Sequence, residues 1–214
     1  MYPGDPNAHP ANVYNCRCTI AAKVMGFKSI QKGLSVGGSS SNVGAAEQIG
    51  SVDFFDEKRI LSLLNNAERE TVDLPYEVNY TITSDGKVWR VKGDKASVNP
   101  NSIPSSLIGS YSYHNHPKNE TWYSFSAEDV GFFFEHRQKY SKCSDDLYEY
   151  FMHRTNDTID MDYDTAYNKF KSIHKNEVYN MAFYEGLDLD EDGFHEVMKI
   201  LSKEYHFEYH RRRR

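Results

Sequence analysis

The sequence predicts an α+β fold, and two observations support that prediction. Segments whose apolar residues recur at helical spacing flank shorter segments in which apolar and polar residues alternate. A turn signal at residues 84–87, Ser-Asp-Gly-Lys, separates two of the alternating segments and indicates a β-hairpin. The predicted order of helix, hairpin, strand, helix, strand and further helices is typical of an α+β arrangement.

Length and composition predict one ordinary domain with appendages. The chain has 214 residues, of which 39% are hydrophobic and 14% aromatic, and large rings bury much surface each. The net charge is −6 although the chain ends in four arginines, so the body is more acidic still and nucleic-acid binding by a basic face is disfavoured. No apolar run approaches the ~20 residues of a membrane span, and no secretion signal is expected at the start of the sequence.

Three parts are predicted along the chain. Residues 1–50, rich in Pro, Gly, Asn and Ser, form a flexible arm that holds a short strand at 18–24 and a linker at 35–44. We expect this arm to pack poorly against the rest. Residues 51–160 form the compact domain, and residues 161–214 form a helical C-terminal extension that ends in a solvated arginine tail.

The first elements of the compact domain are a helix and a hairpin. Apolar residues from 54 to 67 recur at helical spacing, with Asp53 as the predicted N-cap, and Pro75 closes the segment. Val78, Tyr80 and Ile82 then alternate with polar residues to form a strand, and residues 88–91 form its hairpin partner.

A third strand is predicted at residues 107–113, and it leads directly into the sequence His-Asn-His-Pro at 114–117. After a polar loop, Ser126 opens a second helix, and residues 147–153 suggest another strand. From Asp164 onward the pattern is helical almost to the end.

The residues with the clearest chemical signal are His114, His116 and Asp129. Two histidines at i and i+2 at the end of a strand point to the same face, so both imidazoles can reach one ion. Asp129, in the first turn of the next helix, can bring a carboxylate to the same point. Two imidazoles, one carboxylate and an open position meet the requirements of a catalytic zinc site. The structural alternative is a Ser126–Asp129 capping box beside two surface histidines at a proline turn.

The HNHP sequence followed by Ser-x-x-Asp resembles the JAMM (MPN+, JAB-like) zinc metallopeptidases, and HNHP is similar to their RadC-type branch. The resemblance covers roughly residues 53–140 and implies a JAB/MPN-like, cytidine-deaminase-like mixed sheet flanked by helices. It implies that His114, His116 and Asp129 bind Zn²⁺ and that Ser126 helps to stabilise an oxyanion. The interval from His116 to Asp129 is two residues longer than the family pattern, and the extra residues lie within 118–125.

The same resemblance requires an acid–base glutamate, which would hold the attacking water and pass its proton to the leaving amine. Glu77 follows the first helix and begins the first hairpin strand, where the resemblance expects this residue. Glu68 and Glu70, near the end of the helix, are rivals. The structural alternative is that Glu77 is a solvent-facing strand residue.

A second resemblance concerns the N-terminus. Tyr-Pro-Gly-Asp-Pro at 2–6 and Val-Tyr-Asn-Cys-Arg-Cys at 13–18 resemble the closing segment of Mu F-type phage minor head proteins. Such proteins can carry variable C-terminal toxin or enzyme domains, so the resemblance implies a phage-encoded effector. The alternative is an unrelated Gly/Pro-rich arm.

Together these observations predict a zinc-dependent hydrolase of peptide or isopeptide bonds. A metal-dependent nuclease toxin and a non-catalytic MPN-like interaction scaffold are the alternatives. The expected partners are a protein or peptide substrate, with an immunity protein or phage head components besides it, and no membrane. Three cysteines, two of them one residue apart, make a poor disulfide framework and favour a reducing compartment. We therefore expect a cytoplasmic or virion-associated protein.

Overall fold

The computed structural model describes residues 44–117 and 124–214. The strands are β1 (Ala46–Ser51), β2 (Val78–Ile82), β3 (Lys87–Lys92), β4 (Tyr111–Asn115), β5 (Tyr140–Ser144), β6 (Tyr148–His153) and β7 (Glu208–Arg213). The α-helices are α1 (Glu57–Thr71), α2 (Ala127–Glu135), α3 (Tyr163–Ile173), α4 (Tyr179–Glu185) and α5 (Gly193–Tyr205). A 3₁₀ turn (Pro100–Ser102) precedes β4, and a π-helical segment (His174–Val178) joins α3 to α4.

The strands form one mixed sheet in the order β1-β3-β2-β4-β5-β6-β7. The strand pairs are antiparallel except β4 and β5, which run parallel and are connected through α2. A parallel pair needs such a crossover, because the chain must return to the starting edge before the second strand begins. The α+β class expected from the sequence is confirmed, with helices against a mixed sheet.

Helices cover both faces of the sheet and bury separate apolar clusters. Helix α1 packs on one face through a cluster that comprises Ile60, Leu64, Ala67, Val78, Tyr80, Ile82, Val88, Tyr111 and Tyr113. Helices α2, α3 and α5 pack on the other through a cluster that includes Phe133, Phe170, Val197, Cys143, Tyr150 and Met152. Alternate residues of the central strands therefore belong to different cores, as the two-residue period of a strand requires.

Local sequence explains where the first elements begin. Helix α1 is capped by Asp56, whose carboxylate accepts from the Arg59 amide, so the prediction of Asp53 as N-cap is wrong. Asp53 instead accepts from the Phe55 amide in the turn before the helix. The predicted hairpin forms from β2 and β3, and Gly86 in its turn has φ +77°. A Cβ there would lie 2.4 Å from the Val52 carbonyl oxygen, so this turn needs glycine.

The sheet extends into the region predicted as a flexible arm. Strand β1 pairs with β3 from Ala46 to Ser51, so the predicted boundary between residues 50 and 51 is wrong. Most side chains of β1 are exposed, which is why its sequence lacks the alternation expected of a half-buried strand. The strand at 18–24 and both cysteines of the phage-like segment fall outside the described residues, as does most of the 35–44 linker.

The C-terminus also differs from its prediction. After α5, the chain forms β7, which pairs along its full length with β6, so residues 161–214 are not a purely helical extension with a solvated tail. Three tail arginines make ion pairs with acidic residues distant in sequence: Arg211 with Asp192, Arg212 with Glu149 and Arg214 with Glu68. Strand β4 begins later than predicted, at Tyr111, and β5 was not predicted.

None of the helices within the described ranges combines the length and apolar character needed to cross a bilayer.

Candidate metal centre

The two histidines of the HNHP sequence converge at the carboxyl end of β4. His114 is the fourth residue of this strand and His116 follows its last residue, so both side chains leave the same face. Their Nε2 atoms lie 3.3 Å apart, and both side chains are buried. The backbone amide of His116 donates to the Ser144 carbonyl at 2.7 Å, which fixes the second histidine against the end of β5.

Cys143 of β5 joins this pair. Strands β4 and β5 place His114 and Cys143 side by side in the parallel register. The ligand atoms of His114, His116 and Cys143 all lie within 4.8 Å of one another, and all three residues are buried. This group could hold a metal ion. No local pattern marks Cys143 as a donor, because the polar segment that forms β5 lacks the alternation typical of a strand.

Asp129 approaches His114 from the first turn of α2, but its carboxylate does not belong to the group of His114, His116 and Cys143. Its Oδ2 accepts hydrogen bonds from the Ser126 amide and the Ser126 hydroxyl, both at 2.8 Å, while the Asp129 amide donates to Ser126 Oγ at 3.2 Å. This capping box leaves Oδ1 to face His114, whose Nε2 lies 3.5 Å away. The hydroxyl proton of Ser126 is thus directed to Asp129, whereas the resemblance implies that Ser126 helps to stabilise an oxyanion.

Glu77 lies next to the histidine positions on the neighbouring strand. Asn79 of β2 pairs with His114 of β4, and continuing this antiparallel register by two residues pairs the position of Glu77 with that of His116. Residues paired in this way have side chains on the same face of a sheet. Glu77 is 9% exposed, which disagrees with its structural alternative as a solvent-facing residue.

The backbone around Glu77 is held from both sides. Its amide donates to the Asp94 carbonyl and its carbonyl accepts from the Gly93 amide, each at 2.8 Å. On the side of β4, the Asn115 side chain accepts from the Val78 amide at 2.8 Å and donates to the Tyr76 carbonyl at 3.0 Å. The buried Asn115 side chain thereby continues the strand pairing past the end of the backbone ladder and positions both peptide groups that flank Glu77.

The rival glutamates belong to the opposite face. Glu68 pairs with Lys142 at 2.6 Å, beneath α1. Glu70 interacts with Tyr80, a member of the apolar cluster under the same helix. Neither glutamate is on the face of the sheet where the histidines converge, whereas the register of β2 brings Glu77 to that face.

The electrostatic surroundings of the cluster are acidic. Burial raises the pKa of the Cys143 thiol well above its ordinary value, and the nearby carboxylates of Asp129, Asp145 and Glu77 raise it further. These negative charges also favour a cation at the same place, since opposite charges attract strongly where water is excluded.

The donor set fits a zinc ion. Two nitrogen ligands at about 2.0–2.1 Å from one zinc, at the tetrahedral angle, are about 3.4 Å apart. The 3.3 Å between the histidine nitrogens and the 3.5 Å from His114 Nε2 to Asp129 Oδ1 both agree with that edge. Imidazole, carboxylate and thiolate are the three ligand types that zinc takes from proteins.

An aromatic side chain borders the group of His114, His116 and Cys143. Phe125 is fully buried directly before the N-cap of α2, and its ring centre lies 6.3 Å from that of His114. The preceding residue, Ser124, hydrogen-bonds through its hydroxyl to Tyr209 of β7 at 2.8 Å. The terminal strand therefore supports the loop that leads into the Asp129 helix.

Comparisons of this chain with protein-family models, with curated proteins and with solved structures find no match.

Proposed function

We propose that this protein is a zinc-dependent, JAB-like hydrolase of peptide or isopeptide bonds. The observation that carries the proposal is the buried group of His114, His116 and Cys143, in which the two histidine Nε2 atoms lie 3.3 Å apart, with Asp129 Oδ1 3.5 Å from His114 Nε2. A buried carboxylate on the adjacent strand, Glu77, supports catalysis over a merely structural ion. The resemblance of the HNHP and Ser-x-x-Asp sequences to the JAMM peptidases points the same way.

Each residue has a distinct role in this proposal. His114, His116 and Asp129 hold the ion, which when bound acts as a Lewis acid and makes water acidic near neutral pH. Glu77 accepts the proton of the attacking water and returns it to the leaving amine, so that the carboxylate is regenerated. Ser126 acts through Asp129, because its amide and hydroxyl orient the carboxylate so that Oδ1 faces His114.

The charges around the histidine pair favour this function over the nuclease alternative. Phosphodiester substrates are normally held by several Lys or Arg side chains. The groups that act on Cys143 at the centre include the carboxylates of Asp129, Asp145 and Glu77, and Lys142 points to the other face. A neutral peptide bond meets less repulsion there than a phosphate. The phage-effector part of the proposal rests on residues 2–18 alone.

The first experiment compares two variants of the purified protein. Metal content is measured by elemental analysis, and hydrolysis is measured on peptide and isopeptide-linked libraries by mass spectrometry. Glu77→Gln keeps the shape of the side chain and all three ligands, so we expect full metal content and activity lower by about 10²–10⁴. His116→Ala should lose metal and activity together.

Glu70→Gln is the matched control, because this exposed glutamate lies on the opposite side of the sheet and should keep both properties. Absence of metal from the wild-type protein after growth with zinc would contradict the proposed function. Unchanged hydrolysis in Glu77→Gln would contradict the role of Glu77 and leave the metal centre in place.

A further inference from the structure

The resemblance to the JAMM peptidases implies His114, His116 and Asp129 as ligands, and the structure brings a further donor, Cys143, to the two histidines. Cys143 is fully buried, and its sulfur lies within 4.8 Å of the ligand nitrogens of both His114 and His116. The position does not depend on a flexible loop. The parallel register sets Cys143 beside His114, and the bond from the His116 amide to the Ser144 carbonyl ties the next residue of β5 to the second histidine.

We propose that Cys143 is a thiolate ligand of the same metal ion that His114 and His116 bind. This inference rests on the proposed function only for the presence of that ion. On binding, the thiol releases its proton to solvent, and the sulfur donates a lone pair to the metal. No oxidant or reductant is needed, since neither sulfur nor zinc changes its oxidation state.

A sulfur ligand changes what the centre accepts and how it works. Thiolates favour zinc and other thiophilic ions over Mg²⁺, Ca²⁺ and Mn²⁺, which prefer oxygen. With His114, His116 and Cys143 bound, three positions of a tetrahedral site are filled. The fourth position is left for Asp129, whose Oδ1 lies 3.5 Å from His114 Nε2, and the reacting water enters by displacing it.

The alternative role for Cys143 is a small apolar core residue, and its membership of the apolar cluster beneath α2 fits that role equally well. The two roles differ in one measurable property. A ligand sulfur bonds to the metal and gives a thiolate-to-metal charge-transfer band, whereas a core cysteine that does not bind the metal gives none.

The test uses the full chain, stripped of metal and titrated with Co²⁺. We expect one equivalent of Co²⁺ to produce a near-ultraviolet charge-transfer band. Cys143→Ser should lose that band, and Asp129→Asn should keep it. The double variant Cys16→Ser/Cys18→Ser removes the other two cysteines and is the matched control that should also keep the band. Circular dichroism checks that each variant is folded.

X-ray absorption of the zinc-loaded double variant gives a second measurement that leaves Cys143 intact, and we expect one sulfur at about 2.3 Å from the zinc. Bound Co²⁺ without the band, a band that survives Cys143→Ser, or a zinc shell without sulfur would overturn the ligand role and leave the proposed function standing. Failure of the wild-type chain to bind either metal would overturn the proposed function, and this inference with it.

Discussion

Strands β4 and β5 bury ionisable side chains on both of their faces, but the two faces do so differently. Beneath α1, Lys142 Nζ lies 2.6 Å from Glu68 and 2.7 Å from Glu149, and it donates to Asn65 at 2.9 Å. The adjacent residue, Cys143, points to the other face and joins two histidines there. One face contains the ammonium group of Lys142 as its cation, and the other brings together donors suited to a metal cation from solution.

Alternate residues of these strands are therefore expected to have different roles: those on one face stabilise the fold, and those on the other face are suited to metal binding. The Lys142 network is closed by the terminal strand, because Arg212 pairs with Glu149 and Arg214 with Glu68. Its members neutralise one another, so their substitution should affect folding. The opposite face places Asp129 Oδ1 close to His114, and we expect substitutions there to affect metal binding first.

The largest effect on folding is expected for Lys142→Met. The ammonium is buried, with 3% of the side chain exposed, and its removal leaves the carboxylates of Glu68 and Glu149 buried close together. Breaking a buried ion pair by removing one partner costs about 3–5 kcal/mol. Urea unfolding should show this loss in the free energy of unfolding, while the folded variant still binds one metal ion.

A matched variant distinguishes lost charge balance from lost packing. Lys142→Met combined with Glu68→Gln and Glu149→Gln removes all three charges and should recover much of the stability, since neutral replacement of buried ion pairs is often tolerated. If Lys142→Met alone cost less than about 1 kcal/mol, the Lys142 network would not stabilise the fold, and the contrast drawn between the two faces would be wrong.

Asn115→Ala should give the next largest loss of stability, and it should also lower the proposed hydrolysis. It leaves the Val78 amide and the Tyr76 carbonyl without the partner that Asn115 provides. Unsatisfied buried groups cost about 1–3 kcal/mol each, so we expect a loss of about 2–3 kcal/mol in unfolding experiments. Because these peptide groups flank Glu77, hydrolysis should fall while metal content stays full. Loss of metal from a folded Asn115→Ala would contradict this assignment.

The sequence predicted best those elements whose signals are local. The β2–β3 hairpin follows from alternation around a Ser-Asp-Gly-Lys turn, and α2 follows from the capping residues Ser126 and Asp129. The approach of His114 and His116 follows from the two-residue period of a strand. Each of these features depends on residues a few positions apart, so an isolated stretch of sequence contains the information.

The features that the sequence did not predict depend on distant partners. Strand β5 reads Tyr-Ser-Lys-Cys-Ser, and nothing local indicates that Lys142 is buried, because its counterions come from α1 and β6. Strand β7 ends in three arginines, and their acidic partners lie elsewhere in the sequence. One general signal could have located Cys143. Parallel neighbouring strands need a crossover such as α2, so a strand that follows this helix and pairs in parallel with β4 runs beside the histidines.

The change of folding stability with pH is expected to be smaller, and it differs between the two faces of the sheet. Burial lowers the pKa of His195 to about 4, assisted by Arg211, and Tyr209 is its hydrogen-bond partner at 2.8 Å. The unfolded chain therefore binds more protons between about pH 6.5 and 4, so stability falls as the pH falls through that window. After allowance for partial exposure we expect about 1–2 kcal/mol.

The measurement is the difference in urea-unfolding free energy between the wild type and His195→Gln at pH 7 and pH 5, since burial also lowers the pKa of His136 and His174. The contribution of the Lys142 network to stability should change only at lower pH. Burial alone would raise the pKa of Glu149, but hydrogen bonds from Arg212 and Lys142 outweigh it and lower that pKa. Its contribution is thus complete above about pH 4.5 and is lost as the pH falls through the folded-state value. Equal pH dependence of wild type and His195→Gln would refute the assignment to His195.

The smallest effect is expected at the exposed pair Glu47–Arg90, which provides the solvent-exposed counterpart of the Lys142 network. These residues face each other across β1 and β3 with 2.7 Å between Arg90 Nη2 and Glu47 Oε2, but 45% of the arginine side chain and 62% of the glutamate side chain are exposed. Water and salt screen such a pair, so a double-mutant cycle with Glu47→Gln and Arg90→Gln should give about 0–1 kcal/mol, decreasing as salt rises. The cycle cancels the separate interaction of Arg90 with Tyr80, which is the same with either residue at position 47. A coupling above about 2 kcal/mol that persists in high salt would show that an exposed charge pair holds β1 to the sheet, and burial would no longer explain why Lys142 matters more.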